Sequence, residues 1–266
     1  MTEVNPDVLV ERQGHVMVIT INREAARNAV NENVCLGVGD ALEEAENDID
    51  VRAIILTGAG DKSFCAGADL KAIASGQRII PEGAEREKWS LAGFVGHYVS
   101  KPTIAAVNGF ALGGGMEICM AADFIIAAEH AQFGLPEVKR GLVAGAGGAF
   151  RIMEQMPQRI ALELLLMGDP ITAQRALELN FINRVVPSER LMEEALAFAT
   201  AIADNAPLSV KASKRIARQY YGNNRPADDD RWTHTREESK ITHGSADSVE
   251  GPKAFAEKRK PVWTGR

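Results

Sequence analysis

The segment on which the reading of this chain turns is Ala105-Ala106-Val107-Asn108-Gly109-Phe110-Ala111-Leu112-Gly113-Gly114-Gly115-Met116-Glu117, followed downstream by Phe133-Gly134-Leu135-Pro136-Glu137. The apolar run Thr103 to Val107, bounded by Pro102 and Asn108-Gly109, has the signature of a buried strand, and Met116 to Ala122 has the composition of a helix. Glycine costs about 0.5–1 kcal/mol in a regular element. Three in a row at a strand-to-helix junction therefore predict a backbone brought close to something else. The first N–H groups of a helix have no internal partner and sit at the positive end of its dipole, so such a junction suits negative charge. No Gly-x4-Gly-Lys-Ser/Thr is present, and neither Gly113-Gly114-Gly115 nor Gly145-Ala146-Gly147-Gly148 completes Gly-x-Gly-x-x-Gly. The other guest of such a junction is an oxygen that gains charge during a reaction.

Outward from this segment, strand and helix signals alternate. Val8 to Glu11 and His15 to Asn22 read as strands joined across Gln13-Gly14. From Asn31, a helix cap by type, Val34, Val38, Ala41, Leu42 and Ala45 recur at helical spacing. Val51 to Thr57 and Phe124 to Ala128 are further strands. Ala66-Gly67-Ala68 leads into a short helix ending at Ala74, Ser75 to Lys88 reads as a loop, and Trp89 to Ser100 reads as a helix. Near-continuous apolar strands between helices indicate an α/β protein. From about Gln158 helices dominate: Arg159 to Met167, Ala173 to Leu179, Glu189 to Ala203, Leu208 to Tyr221 and Asp228 to Lys258. This divides the chain into a core domain, residues 1–200, and a C-terminal helical region, residues 201–266.

Composition narrows the function classes. At 266 residues and 45% hydrophobic content the chain can bury one large core, and a net charge of −6 offers no general attraction to nucleic acid or anionic membrane. Cys35, Cys65 and Cys119 form no Cys-x-x-Cys pair and read as small buried residues of a reducing compartment. The acidic start Met1 to Asp7 has no apolar targeting core, and no apolar run reaches membrane length, so a cytoplasmic protein is expected. Neither His-Glu-x-x-His nor Gly-x-Ser-x-Gly occurs.

The segment Ala105 to Glu117, together with Phe64-Cys65-Ala66-Gly67-Ala68-Asp69-Leu70-Lys71 and Phe133 to Glu137, resembles the enoyl-CoA hydratase (crotonase) superfamily in order and spacing. The likeness covers nearly the whole chain. The ending Glu250 to Arg259, with Pro261 to Arg266, looks most like the carnitinyl-CoA dehydratase branch. The resemblance implies a crotonase (ClpP-like) spiral of β-β-α units whose helical C-terminal region packs on neighbouring subunits of a homotrimer, often doubled to a hexamer. It implies an acyl-CoA thioester substrate and no metal or cofactor, CoA being part of the substrate. The implied activity is a lyase reaction of fatty acid metabolism, hydration of a 2-enoyl-CoA to a 3-hydroxyacyl-CoA or the carnitinyl-CoA equivalent. An isomerase of the same fold, moving a double bond with a single proton carrier, is the alternative.

Matched residue by residue, the resemblance places the oxyanion donors on the N–H groups of Ala68 and Gly114 and the catalytic carboxylates on Glu117 and Glu137. Gly145 would hold the water, and Gly113 and Pro136 would be substrate-binding residues. CoA would lie along Ala66, Asp69, Leu70 and Lys71 and the Arg23 to Ala29 segment, with Ala26 against it and Arg23 near its phosphates. Two departures stand out: Ala144 where the family usually has proline, and Arg23-Glu24 where it has Arg-Pro. In isolation Glu117 is only a favourable partner for a helix dipole and Gly145 to Gly148 only a tight turn; their joint spacing favours the catalytic reading. The acyl pocket is expected between Ala72 and Val99. There Trp89 and Phe94 are the candidates to receive a trimethylammonium group, which needs an aromatic face or a carboxylate.

Overall fold

The apolar runs pair into sheets. The computed structural model describes residues 5–266; residues 1–4, the start of the acidic N-terminal stretch, lie outside the described residues. Six strands form one sheet in the order Val8–Gln13, Val16–Ile21, Ala53–Gly58, Thr103–Val107, Phe124–Ala128, Arg184–Val186. The first two make an antiparallel hairpin and the rest run parallel. Parallel strands are covered on both faces, and Ala53–Gly58 and Thr103–Val107 are buried along their whole length.

A second, smaller sheet has the order Ser63–Cys65, Phe110–Leu112, Gln132–Gly134, Ile171–Thr172, its first three strands parallel. These two sheets explain the spiral. Three times the chain runs through a strand of the large sheet, a strand of the small one and then a helical turn. The three units end in the Leu70–Ala74 helix, the Gly114–Ala121 helix and the 3-10 turn Pro136–Arg140. The three small-sheet strands are neighbours, so the loops after them, which carry Ala68, Gly114 and Glu137, emerge side by side.

One hydrophobic core lies between the sheets and the Glu32–Asn47 helix, which starts as expected with the Asn31 side chain accepting from the Val34 N–H at 2.9 Å. A second core covers the other face of the large sheet. There Ala195, Ala199 and Ala203 of the Leu191–Ala203 helix face Val18, Ile55 and Ala106. The expected boundary between residues 200 and 201 falls inside this helix.

Two further expectations are corrected. Trp89 to Ser100 is not a helix, because Ser90, Ala92 and Gly93 all take positive φ (58°, 59°, 64°) and the segment holds only a 3-10 turn, Leu91–Gly93. Gly93 is pressed against the Glu32–Asn47 helix, where a Cβ would meet the Cys35 carbonyl oxygen at 2.1 Å; packing overrides helical composition here. Within the loop read over Ser75 to Lys88, Ala84–Trp89 is helical.

The C-terminal helices return to the centre of the chain. Ala246–Ala256 packs on the Pro136–Arg140 turn, with Gly251 against the Arg140 carbonyl. Asp229–His243 brings Trp232 and Ser239 against Gly147 and Gly145.

Candidate active site

The Ala68 loop is held from behind by the Arg27 to Val30 segment. Val30 N–H donates to the Gly67 carbonyl (2.8 Å), Asp69 N–H to the Val30 carbonyl (2.8 Å) and Ala66 N–H to the Arg27 carbonyl (3.1 Å). The Gly67 N–H donates to Cys65 Sγ (3.4 Å), while that of Ala68 has no acceptor among the described residues. Gly114 opens its helix, so its N–H likewise lacks an internal partner. The two amides share one spot. A Cβ on Gly67 (φ +88°) would lie 2.9 Å from the Gly114 nitrogen, and one on Gly114 would lie 3.6 Å from the Ala68 nitrogen. The third glycine of the run serves packing, since a Cβ on Gly115 would meet the Cys65 carbonyl oxygen at 2.0 Å.

Glu117 lies on the first turn of the Gly114–Ala121 helix, 3% exposed, and its Oε1 accepts the Gly148 N–H at 2.8 Å. Glu137 follows Pro136 at the start of its 3-10 turn, and its Oε1 comes within 3.0 Å of where a Gly113 side chain would begin. Its Oε2 is buried and has no hydrogen-bond partner. A buried carboxylate oxygen left without a donor is rare in a structural role.

Burial pushes the Glu117 carboxyl up to about 7, against the opposing pull of the Gly148 and Ala146 amides and the Arg151 charge. Burial, and then the charge of Glu117, push Glu137 up to about 8. The two titrate together. Near neutral pH the pair therefore carries about one proton, which gives one acid and one base within each other's field.

This raises a stability expectation. A carboxyl whose folded pKa lies above its unfolded one contributes no penalty below the ordinary carboxylate range and destabilises progressively as pH rises to the folded value. Thermal stability should thus fall from pH 5 to pH 8 through this pair. Glu137→Gln should flatten the fall and be more stable than the parent at pH 8, by on the order of a few kcal/mol. Melting curves of both proteins across that range check it; parallel curves would contradict the assigned environment.

The remaining site residues divide between the cavity and its frame. Gly113 donates its N–H to the Gly134 carbonyl (2.8 Å) and flanks Glu137, with Pro136 opening the same turn. Asp69 caps the Leu70–Ala74 helix, its Oδ1 accepting from the N–H groups of Lys71 (3.1 Å) and Ala72 (3.2 Å). Ala66 and Lys71 are exposed along this edge, Leu70 half-buried. Ala26 ends the short turn Glu24–Ala26, its carbonyl accepting from Ala29.

Arg23 departs from expectation. Its guanidinium is half-buried, bonded at 3.0 Å to Asp69 Oδ2 through both terminal nitrogens and 3.5 Å from Asp7. It braces the Ala68 loop and is not an open phosphate contact. Arg23→Met leaves the Asp69 oxygen unpaired and should lower stability by about 1–3 kcal/mol. The salt dependence of KM, which a lost phosphate contact would flatten, should stay as in the parent; calorimetry and kinetics at two ionic strengths decide.

Gly145 is also corrected. Its N–H is engaged with the Val143 carbonyl at 2.8 Å, and the amide that reaches Glu117 is that of Gly148. Ala144, in the place of the family's proline, is buried, and its carbonyl accepts from Ala149 (3.2 Å), so the turn is fixed without proline. Gly148 and Arg151 are the residues sequence reasoning missed. Gly148 lay in a flagged glycine run, but only the fold shows which amide of the run points at the carboxylate. Among the described residues no cluster of three or more His, Cys, Asp or Glu side chains is placed to hold a metal ion.

Comparison with known proteins gives the chain a family. The sequence profile of the family described as enoyl-CoA hydratase/isomerase matches residues 11–266. The chain is 39% identical over 264 residues to the carnitinyl-CoA dehydratase of Salmonella typhi, covering 96% of this chain and 97% of that one. Among solved structures it is similar to a carnitinyl-CoA hydratase from Mycobacterium avium (TM-score 0.95, 56% identity, 98% of this chain and 99% of that one). It is also similar to an enoyl-CoA hydratase from Mycobacterium tuberculosis H37Rv (TM-score 0.75, 42% identity, 98% and 100%). With the unpaired amides of Ala68 and Gly114 close together beside buried Glu117 and half-buried Glu137, and a profile match across almost its full length, the chain belongs to the enoyl-CoA hydratase/isomerase family.

Proposed function

We propose that the protein is a lyase that reversibly hydrates a 2-enoyl-CoA to a 3-hydroxyacyl-CoA. The observation that carries the reading is the interacting pair of buried Glu117 and half-buried Glu137 beside the unpaired N–H groups of Ala68 and Gly114. As water adds at C3, electron density moves onto the thioester oxygen, which the two amides stabilise. Each donor contributes about 2.7–4 kcal/mol in measured oxyanion holes. Glu117, held by Gly148, takes the proton from the adding water, and Glu137 delivers one at C2; elimination runs the same steps backwards. No cofactor takes part, CoA being carried by the substrate along the Ala66 to Lys71 edge.

Names of the relatives support hydration, and so does the presence of two carboxylates, since a double-bond shift needs one mobile proton. The test is to supply 2-enoyl-CoA and 3-enoyl-CoA separately. The reading expects 3-hydroxyacyl-CoA from the first. Formation of only 2-enoyl-CoA from the second, with the first left unchanged, would favour the isomerase.

The assembly proposed is a homotrimer or a dimer of trimers. Leu162, Leu166 and Met167 leave an apolar face of the Gln158–Met167 helix uncovered beside exposed Val138 of the Glu137 turn, as a subunit contact requires. A cytoplasmic location fits the finding that, among the described residues, no helix is long and apolar enough to cross a membrane.

A further inference from the structure

We infer that Arg151 is a positioning residue for Glu117, held in place by Trp232 of the C-terminal helical region, and that this pair decides which of the two glutamates carries the proton. The inference rests on the hydratase reading above and extends it to two residues that lie behind the site.

Glu117 Oε1 accepts the Gly148 N–H at 2.8 Å, so the place of this carboxylate depends on the Gly145 to Gly148 loop. Arg151, on the first turn of the Gly148–Gln155 helix, reaches back to that loop. Its guanidinium donates to the Ala146 carbonyl (3.4 Å) and to the Val95 carbonyl (2.7 Å), which ties the loop to the segment after the Leu91–Gly93 turn. Gly147 takes φ +94° against it, where a Cβ would stand 2.7 Å from Arg151 Nη1 and 3.0 Å from Trp232 Cη2. The loop can close on the guanidinium only with glycine at that point.

The guanidinium is in turn clamped by rings. Phe150 and Trp232 meet edge to face with centroids 5.1 Å apart, and the Arg151 cation lies 5.4 Å from the first centroid and 5.3 Å from the second. Trp232 belongs to the Asp229–His243 helix, which also brings Ser239 Oγ to 2.9 Å from where a Gly145 Cβ would be. One C-terminal helix thus bears on the loop at both Gly145 and Gly147.

A guanidinium stays protonated at any working pH. Burial raises the Glu117 carboxyl, and the Gly148 and Ala146 amides and then the Arg151 charge draw it back. Burial and the Glu117 charge raise Glu137, which among the described residues no cation draws down. Cys65 behind the Glu117 helix and Cys119 on it are buried, their thiols pushed up, and stay neutral. Arg151 itself faces Asp228, Tyr220 and Arg218 besides Glu117. The unequal surroundings leave Glu117 as the base and Glu137 as the acid that hydration needs.

The experiment titrates the two carboxyls by NMR of protein with isotope-labelled glutamate carboxyl groups, the signals assigned through Glu117→Gln and Glu137→Gln. It is run on the parent, Arg151→Met, Arg151→Lys and Trp232→Leu, beside the pH profile of crotonyl-CoA hydration. In Arg151→Met the first deprotonation of the pair should move up by about 1 in pH, since the carboxylate has lost a cation, and the acidic limb of kcat/KM should move with it. Its kcat should fall at least about 10-fold with KM nearly unchanged. Arg151→Lys keeps the charge and loses the fork, so the titration should return to the parent's while kcat recovers only in part. Trp232→Leu leaves the charge in place and frees it to move, and should shift the titration the same way by less. A parental titration in Arg151→Met, or a shift that Arg151→Lys fails to restore, would overturn the inference however low kcat falls; a parental titration in Trp232→Leu would remove Trp232 from it. The titration reads the carboxyls whether or not substrate turns over, so absence of hydration in the parent would overturn the hydratase reading separately.

Discussion

Replacing Glu137 by Gln should lower the rate of enoyl-CoA hydration by at least about 10³-fold, within the range that general acid–base groups contribute, while a saturated acyl-CoA binds as before. Gln keeps the size and one carbonyl oxygen of the carboxyl but cannot pass a proton to C2 and take it back. The Glu137 Oε2 has no protein partner to lose, so the change should disturb no hydrogen bond of the fold. Burial and the neighbouring Glu117 charge keep this carboxyl protonated to about pH 8, and the parent's turnover should accordingly decline as the pair loses its last proton above that pH. Turnover of the variant within about tenfold of the parent's would remove Glu137 from the mechanism.

The second large effect concerns a backbone that no side-chain replacement can delete but one can displace. Gly67 has φ +88°, and a Cβ there would stand 2.9 Å from the Gly114 nitrogen and 3.2 Å from the Leu112 carbonyl oxygen. Gly67→Ala therefore intrudes between the two donors and strains its own backbone by about 1–2 kcal/mol. Loss of one oxyanion donor lowers kcat by about 10²–10³, and that is the expected result, with a melting temperature only a few degrees below the parent's and the affinity for free CoA retained. A variant with near-parental kcat would show that Ala68 and Gly114 do not act as a pair.

Much of this site was legible in the sequence because its parts sit at the ends of recognisable elements. The Thr103 strand, the glycine run and Glu117 are contiguous, and Pro136-Glu137 closes the next unit. The strands that bring them together were not legible. Ser63–Cys65, Phe110–Leu112 and Gln132–Gly134 are three residues each, too short for an alternating pattern, so the small sheet emerged only in three dimensions. Trp89 to Ser100 misled because its composition suits a helix while its packing against Cys35 and Gly39 demands positive φ. Arg23 misled for a different reason: a basic residue beside a proposed anion site has two available uses, and only the fold shows Asp69 within 3.0 Å.

The claim under all of this is that one oxygen of the substrate sits between two particular amides with a carboxyl on either side of the reacting carbons. A crystal structure with an unreactive acyl-CoA bound tests it directly. The account expects the thioester oxygen about 2.7–3.1 Å from both the Ala68 and the Gly114 nitrogens, as in other oxyanion holes, with Glu117 facing C3 and Glu137 facing C2. A thioester oxygen turned to solvent, or bonded to neither amide while the acyl chain lies elsewhere, would contradict it.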